Sequence, residues 1–368
     1  MKILHMTPPI INNGIYRYIF TLLKYINKEQ FEFSFLMQDP KALMQTKEYQ
    51  EYKFDIKSYS TVPRENPEKF RKEIYEILSE GYDVLELHTS FWRGFMIEEI
   101  AMEVGIPKVI VHSHSSGIDC CDAIEREKLL IGHEQLKKEF NVNLATDFWA
   151  CSKEAGEWLF GEHIPKEKIK YVHNAIEGKK YQFNTLIREK KRKELNLENS
   201  FVIGNTGRLE YQKNHEFLLR VFAKVKKHIA NAKLLLVGEG VLRTYLETLC
   251  VELEISDSVQ FLGWRNDVNE LLQVMDIYAL PSLFEGLSIV LIEAQASGLS
   301  CIVSDCTTAE AGITDNFKQL PLQIDEWVDG ILKTHDECSD RRSYIAELNK
   351  AGFDISSEVN NIERLYLE

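Results

Sequence analysis

Short β-rich runs alternate with amphipathic helical patterns along the whole chain, and that alternation restricts the fold more than any other feature. A strand, a helix and a second strand in succession close compactly as a parallel pair with the helix on one face. Repeated alternation therefore predicts parallel sheets covered by helices on both sides. In the first half, residues 2–6, 31–37, 82–87, 108–112, 147–150 and 169–172 read as strands, with helical patterns at 16–25, 67–78, 95–104, 122–139 and 153–160. A second series has strands at 201–205, 233–237, 258–262, 276–280 and 300–303, and helices at 215–229, 241–253 and 289–296. Helices at 325–332, 341–348 and 357–367 complete the chain. Between the two series, residues 176–200 turn polar and rich in Lys, Arg, Glu and Asn, which reads as a linker. The expectation is an α/β protein of two Rossmann-like, doubly wound domains, 1–178 and 179–353, facing each other across a cleft. The last helix, within 354–368, is expected to pack back on the first domain; the alternative is that it simply ends the second.

Length and composition agree: 368 residues, 44% hydrophobic and 27% charged, suit two soluble domains. Lys and Arg total 44 against 57 Asp and Glu, a formal charge of −13 with neither half basic. Nucleic-acid binding by phosphate neutralisation needs a concentrated positive surface, so that class is excluded. Seven cysteines show no C-x-x-C spacing, which argues against a disulfide framework or zinc knuckle and for a reduced, cytoplasmic chain. MKILHMTPPI is too short an apolar run for a signal peptide and reads as a buried strand; no apolar run reaches 18 residues. Residues 63–73, PRENPEKFRKE, could touch a membrane surface or form a solvated helix start, and the interleaved glutamates favour the second.

Two loops carry the chemistry. The first, IGNTGRLEYQKN at 203–214, runs from a strand through a glycine turn into a helix whose expected N-cap is Asn214. Phe217, Leu218, Val221, Phe222 and Val225 give that helix an apolar stripe, so its polar start faces outward. Arg208 and Lys213 then lie at a strand's carboxyl end, where ligands bind in doubly wound folds. A planar fork and a point charge together suit a diphosphate, although a lone Arg or Lys is more often a solvated surface cation.

The second loop, PSLFEGLS at 281–288, leads into the helix IVLIEAQASG. Gly286 permits close backbone approach, Ser288 is the expected N-cap, and the amides from Leu287 onward would form an anion site. The helix is apolar nearly all round and therefore buried, yet it carries Glu293. A buried carboxylate needs partners, and a ribose diol or a structural cation would each serve. Glu285, just before the helix, would face whatever group hangs from the phosphate, or stand as a surface carboxylate.

EGLSIVLIE resembles the E-x7-E motif, and GRLEYQKN the G-R-x4-K motif, of family 4 retaining glycosyltransferases with the GT-B fold. The resemblance extends over the chain through LVGEG at 236–240, VQFLGWRNDVNELLQVMDIYALPS at 259–282 and ACSKEAGEWLFG at 150–161, and is greatest to bacterial exopolysaccharide and capsule enzymes. It implies that Arg208 and Lys213 hold the nucleotide diphosphate, Glu293 the ribose and Glu285 the donor sugar. Trp264 and Arg265 would lie beside the nucleobase. By the same resemblance His114, in VIVHSHSSG, stands beside the sugar and acceptor, and Asn12-Asn13-Gly14 corresponds to a glycine-rich loop in which only Gly14 remains. His173-Asn174-Ala175-Ile176-Glu177 departs from the usual P-N-G-x-D.

The resemblance further implies a nucleotide-sugar donor, expected to be a UDP-sugar, and no metal or other cofactor. The acceptor would be a saccharide or a polyprenyl-diphosphate-linked saccharide, which leaves peripheral contact with the inner membrane face open. Strand periodicity puts His112 and His114 on one face, where either could be a satisfied core histidine. A metal pair is not expected, because sequence places no third ligand nearby. Two rival functions share the architecture: a UDP-sugar 2-epimerase, and a catalytically silent partner subunit.

Overall fold

The structure, a computed structural model, describes residues 1–9, 11, 13–337 and 341–368; Asn12 of the expected glycine-loop motif and Cys338 lie outside the described residues. Two compact units share the chain. The first comprises Met1–Ile118, Glu127–Ala175 and Ile355–Glu368; the second comprises Asp119–Arg126 and Ile176–Asp354.

The first unit is built on seven strands: β1 (Lys2–Met6), β2 (Glu32–Met37), β3 (Asp55–Ser58), β4 (Val84–Thr89), β5 (Lys108–Ser113), β6 (Asp147–Ala150) and β7 (Ile169–Tyr171). They lie in the order β3-β2-β1-β4-β5-β6-β7, and every pairing is parallel. The second unit holds β8 (Phe201–Thr206), β9 (Ala232–Val237), β10 (Val259–Phe261), β11 (Ile277–Leu280), β12 (Ser300–Ser304) and β13 (Phe317–Leu320), in the all-parallel order β10-β9-β8-β11-β12-β13. Both sheets reverse direction beside their first strand, which is the doubly wound order.

β3 and β13 have no counterpart among the strands expected from sequence. Both are outermost in their sheets, and DIKS and FKQL are too polar to show a buried-strand pattern. The central strands are apolar on both faces because helices cover both. In the second unit the helix His215–His228 buries Leu218, Leu219, Val221, Phe222 and Val225 against Leu234, Leu236 and Trp327, the 3.6-residue stripe expected from its sequence.

The polar stretch expected to be a linker is instead structured, with helices Gly178–Tyr181 and Thr185–Glu194. Asn184 caps the second helix, its side chain accepting from the Leu186 and Ile187 amides at 3.0 and 3.1 Å. Arg188 and Arg192 both reach Asp276, Arg192 at 2.8 Å, while Arg188 also donates to the carbonyls of Gln273 and Met275 at the end of the helix Val268–Val274. These cations dock the helix by ion pairing and carbonyl capping. An apolar-periodicity reading is blind to that mode of packing.

The helix Pro67–Leu78 turns Phe70, Ile74 and Leu78 into the core of the first unit, so the apolar face considered for membrane contact is covered by protein. Among the described residues no helix is long and apolar enough to cross a membrane.

Asp276 also accepts from the Val202 amide at 2.7 Å. Replacing it by alanine leaves two partly buried guanidiniums facing each other without a counter-charge. Asp276→Ala is therefore expected to lower stability by roughly 3 kcal/mol, read as a shift in the urea unfolding midpoint; an unchanged midpoint would show that the helix Thr185–Glu194 is held by other contacts.

Candidate active site

The strand reversal in the second unit makes β8 and β11 neighbours, and the loops that leave their carboxyl ends are the two loops singled out in the sequence. The loop after β8 is held by the segment that follows β9. Gly207 and Leu209 donate their amides to the carbonyls of Val237 and Glu239, both at 2.9 Å. This approach explains the first glycine of LVGEG. Gly238 has φ +141°, and a Cβ there would stand 2.0 Å from the Gly207 carbonyl oxygen. Gly207 in turn clears space for the stem of Lys213, whose Cε would lie 2.9 Å from an added Cβ.

Lys213 reaches across to the second loop and pairs with Glu285 at 2.6 Å, with side chains only 14% and 7% exposed. The same carboxylate accepts from Ser282 Oγ at 2.6 Å and Gln212 Nε2 at 3.2 Å. Gln212 also donates to the Phe284 carbonyl, and its own carbonyl accepts from the Leu283 amide, both at 2.9 Å. The two loops are thus joined by an ion pair and hydrogen bonds. Arg208 pairs with Asp119 at 2.6 Å, and Asp119 also accepts from the Gln212 amide at 3.0 Å. Neither cation points into bulk solvent.

Gly286, Leu287 and Ser288 are buried and lead directly into the helix Ile289–Ala296. Ser288 occupies the N-cap position, but its side chain makes no capping hydrogen bond, contrary to expectation. Asn214 likewise departs from its expected role: it has left-handed φ and ψ of 51° and 44°, makes no side-chain cap, and ends the short turn Tyr211–Lys213. Glu293, five residues beyond Ser288, is 1% exposed and accepts from Tyr181 Oη at 2.6 Å. Trp264 is 53% exposed, whereas the guanidinium of Arg265 is held in two hydrogen bonds, 2.8 and 2.6 Å, by Asp267. That contact, with Lys191, keeps the Asp267 carboxyl well below its ordinary value.

In the first unit, Asn13 caps the helix Gly14–Tyr25, accepting from the Tyr16 amide at 3.0 Å, so Gly14 is the first residue of that helix. His114 follows β5, and its amide continues the ladder by donating to the Thr89 carbonyl at 3.0 Å. Register and period together place His5, Glu86, His88 and His112 on one face of the sheet, with His114 next in line: His5 pairs with Glu86, and His88 with His112. Glu86 accepts from His112 Nδ1 at 2.8 Å and from Tyr366 Oη at 2.5 Å. His5 Nδ1 meets His88 Nε2 at 3.0 Å, and His88 Nδ1 meets His114 Nε2 at 2.9 Å.

The structure therefore supplies the third histidine that sequence spacing did not. Ligand atoms of His88, His112 and His114 lie within 4.8 Å of one another. Both ring nitrogens of His88 are already engaged by histidines, however, and the cluster reads as a hydrogen-bond chain. Glu86, His5 and Tyr366 in this unit, and Asp119, Gln212, Ser282 and Tyr181 in the other, were missed at the sequence level. Glu86 and His88 left one signal: two polar residues two apart in a strand otherwise apolar on both faces.

Residues 187–347 match the family model for glycosyl transferases group 1. Over 99% of its length the chain is similar to Bacillus subtilis EpsF, which is named as a glycosyltransferase, at 27% identity over 378 residues and 96% of that protein. It is also 27% identical over 314 residues to the Escherichia coli UDP-Gal:α-D-GlcNAc-diphosphoundecaprenol α-1,3-galactosyltransferase, covering 80% of this chain and 78% of the relative. Anabaena HepE, solved in complex with UDP-glucose, shares the fold with a TM-score of 0.76 at 17% identity over 99% of both chains. The fold is GT-B, and the protein is a glycosyltransferase. The matched stretch, residues 187–347, contains the whole span from Arg208 to Glu293.

Burial pulls the His5 pKa down to about 4 and those of His112 and His215 to about 3, and lowers those of His88 and His114 well below the ordinary value. Below pH 6.5 the unfolded chain takes up protons at these positions that the folded chain refuses, so each subtracts stability as pH falls toward its folded pKa. Glu86, raised by burial, and Glu98, raised to about 7, act in the opposite sense but are fewer. Stability is expected to fall between pH 6.5 and 5, by up to about 1.4 kcal/mol per pH unit per histidine. Denaturant unfolding at stepped pH checks this, and a midpoint that does not move overturns it.

Proposed function

We propose that the protein transfers a sugar, with retention of anomeric configuration, from a UDP-sugar to a saccharide or polyprenyl-diphosphate-linked saccharide in surface polysaccharide synthesis. The observation that carries this reading is the convergence of Arg208, Lys213 and the start of the helix Ile289–Ala296 at the strand reversal of the second unit. Two cations and a helix N-terminus at one sheet edge suit a pyrophosphate. In this reading Glu293, 1% exposed within the same domain, takes the ribose hydroxyls, Trp264 and Arg265 flank the base, and Glu285 and His114 serve the sugar. The lipid-diphosphate acceptor in the name of the E. coli relative and the UDP-glucose of the HepE complex support the donor and acceptor classes. The acceptor, rather than the helix Pro67–Leu78, would bring the enzyme to the inner membrane face.

Chemically, the glycosidic C–O bond breaks toward an oxocarbenium-like centre and negative charge grows on the β-phosphate. That phosphate takes the acceptor proton as the hydroxyl attacks the same face. Arg208, Lys213 and the helix amides stabilise the growing charge. Lys213 must exchange part of its bond to Glu285 for the phosphate, which leaves Glu285 with the donors Ser282 and Gln212. Binding thus transfers one cation between two anions without stranding the carboxylate.

The test is a screen of nucleoside diphosphate sugars for thermal stabilisation, followed by turnover with lipid-linked acceptors and determination of anomeric configuration. Arg208→Ala and Lys213→Ala are each expected to reduce kcat about 10²–10³-fold, as for loss of an oxyanion donor. Arg208→Ala, whose ion pair is the more exposed, should leave the unfolding midpoint near that of the wild type. Wild-type turnover in Arg208→Ala, or no stabilisation by any nucleotide, would reject the assignment.

A further inference from the structure

A cavity of about 400 Å³ lies within the second unit at the edge where its strands begin. The first residues of β8, β11, β12 and β13, which are Phe201, Ile277, Ser300 and Phe317, all line it. Parallel strands put this edge opposite the loops that carry Arg208 and Glu285, so the cavity is separate from the candidate donor site. Its charges do not balance. Asp276 in the wall is shared by Arg188 and Arg192, Asp315 is held by Arg342 at 3.0 Å and by Tyr344 Oη, and Glu337 faces Lys333 at 3.7 Å. Two further lining cations, Arg341 and the exposed Lys318, have no carboxylate partner among the described residues.

Arg341 is fixed in place and still unsatisfied. Its Nη1 donates to the carbonyls of Leu272 and Gln273 at 3.1 and 3.4 Å, and its guanidinium carbon lies 4.8 Å from the centre of the Phe183 ring. Its Nη2 is buried and has no hydrogen-bond partner among the described residues. Gly298 makes room for this segment: φ is +70°, and an added Cβ would stand 2.6 Å from the Arg342 carbonyl oxygen and 3.2 Å from Arg341 Cβ. Burial first, and then the neighbouring Arg188, pull the Arg341 pKa down to about 9. A buried charged donor without an acceptor is costly, and an anion against Nη2 would remove both the unmet hydrogen bond and the excess positive charge.

We propose that this cavity is a second ligand site of the protein, which binds a phosphate group through Arg341 Nη2 in its wall and Lys318 at its rim. Phosphate is the anion that fits, because it carries roughly −1.5 to −2 charges at neutral pH and so answers both uncompensated cations, where a carboxylate would answer one. The cavity is larger than five heavy atoms require, and Phe183, Phe201 and Phe317 offer apolar wall to an organic remainder. The ligand is therefore free phosphate or a small phosphate monoester. The site does not depend on the function proposed above.

The test is calorimetric titration of the full chain with inorganic phosphate and, separately, with glycerol phosphate, at constant ionic strength. Saturable one-to-one binding is expected in the wild type and, unchanged within two-fold, in the doubly substituted Arg208→Ala, Lys213→Ala protein, whose donor site is disabled. Arg341→Met should weaken it about ten-fold or more, as for loss of a charge-assisted hydrogen bond. If Arg341→Met does not fold, Lys318→Glu, on an exposed side chain, places a negative charge at the rim and should weaken binding by a similar factor. Tighter binding of glycerol phosphate than of inorganic phosphate identifies a monoester site, and the reverse order a site for the free ion. No saturable binding in the wild type overturns the proposal, as does binding that survives Arg341→Met or, where that variant does not fold, Lys318→Glu. Binding lost with Arg208 and Lys213 would place the phosphate in the donor site, and binding gained only in Asp340→Asn would mean that the chain's own carboxylate serves Arg341; either result rejects the second site.

Discussion

The chemistry of the second unit depends on one constraint: β8 and β11 must lie side by side although an α-β-α-β-α passage separates them in sequence. Parallel pairing puts both carboxyl ends at the same edge, and the reversal of strand order there sends the following helices to opposite faces. The loops between strand and helix are consequently left open at that edge. Asn205 ties the two strands directly, donating to the Ala279 carbonyl at 2.7 Å while accepting from His215 at 3.0 Å. The Lys213–Glu285 pair is the next link outward. Its geometry follows from the strand adjacency and needs no special sequence between positions 213 and 285.

Buried charge is handled differently in the two units. In the second, carboxylates meet cations: Glu285 meets Lys213, Asp119 meets Arg208, and Asp276 meets Arg188 and Arg192. Several of these carboxylates accept further hydrogen bonds, which offsets part of the desolvation of a buried ion. Such pairs can exchange one anion for another, as ligand binding by phosphate requires. In the first unit, among the described residues, the fully buried Glu86 is hydrogen-bonded to Tyr366 and to the His112 imidazole rather than to Lys or Arg.

Much of this was legible in the residues. The alternating periodicity named the fold class because the physics of burial acts on local pattern, and central strands such as β8 and β11 announce themselves as apolar runs. The two site loops were legible because glycines, cations and carboxylates cluster at strand ends. The edge strands β3 and β13 escaped because an edge strand buries too little to need an apolar face. The helix Thr185–Glu194 escaped because its docking surface is guanidinium rather than hydrocarbon. Ser288 and Asn214 sit at helix starts as their residue types suggest, yet neither side chain caps: Asn214 takes left-handed angles, whereas Ser288 keeps the extended angles of an ordinary N-cap.

The sequence by itself determined the α/β class, the succession of strands and helices, and the residue types at the ends of β8 and β11, because these follow from short-range periodicity and local turn chemistry. Only the tertiary structure decided which charges face each other. Asp119 finds Arg208 across 89 positions, and Tyr366 reaches Glu86 across 280. Such pairings depend on strand order and register, which no local pattern encodes, and a carboxylate in isolation is indifferent to which buried donor satisfies it.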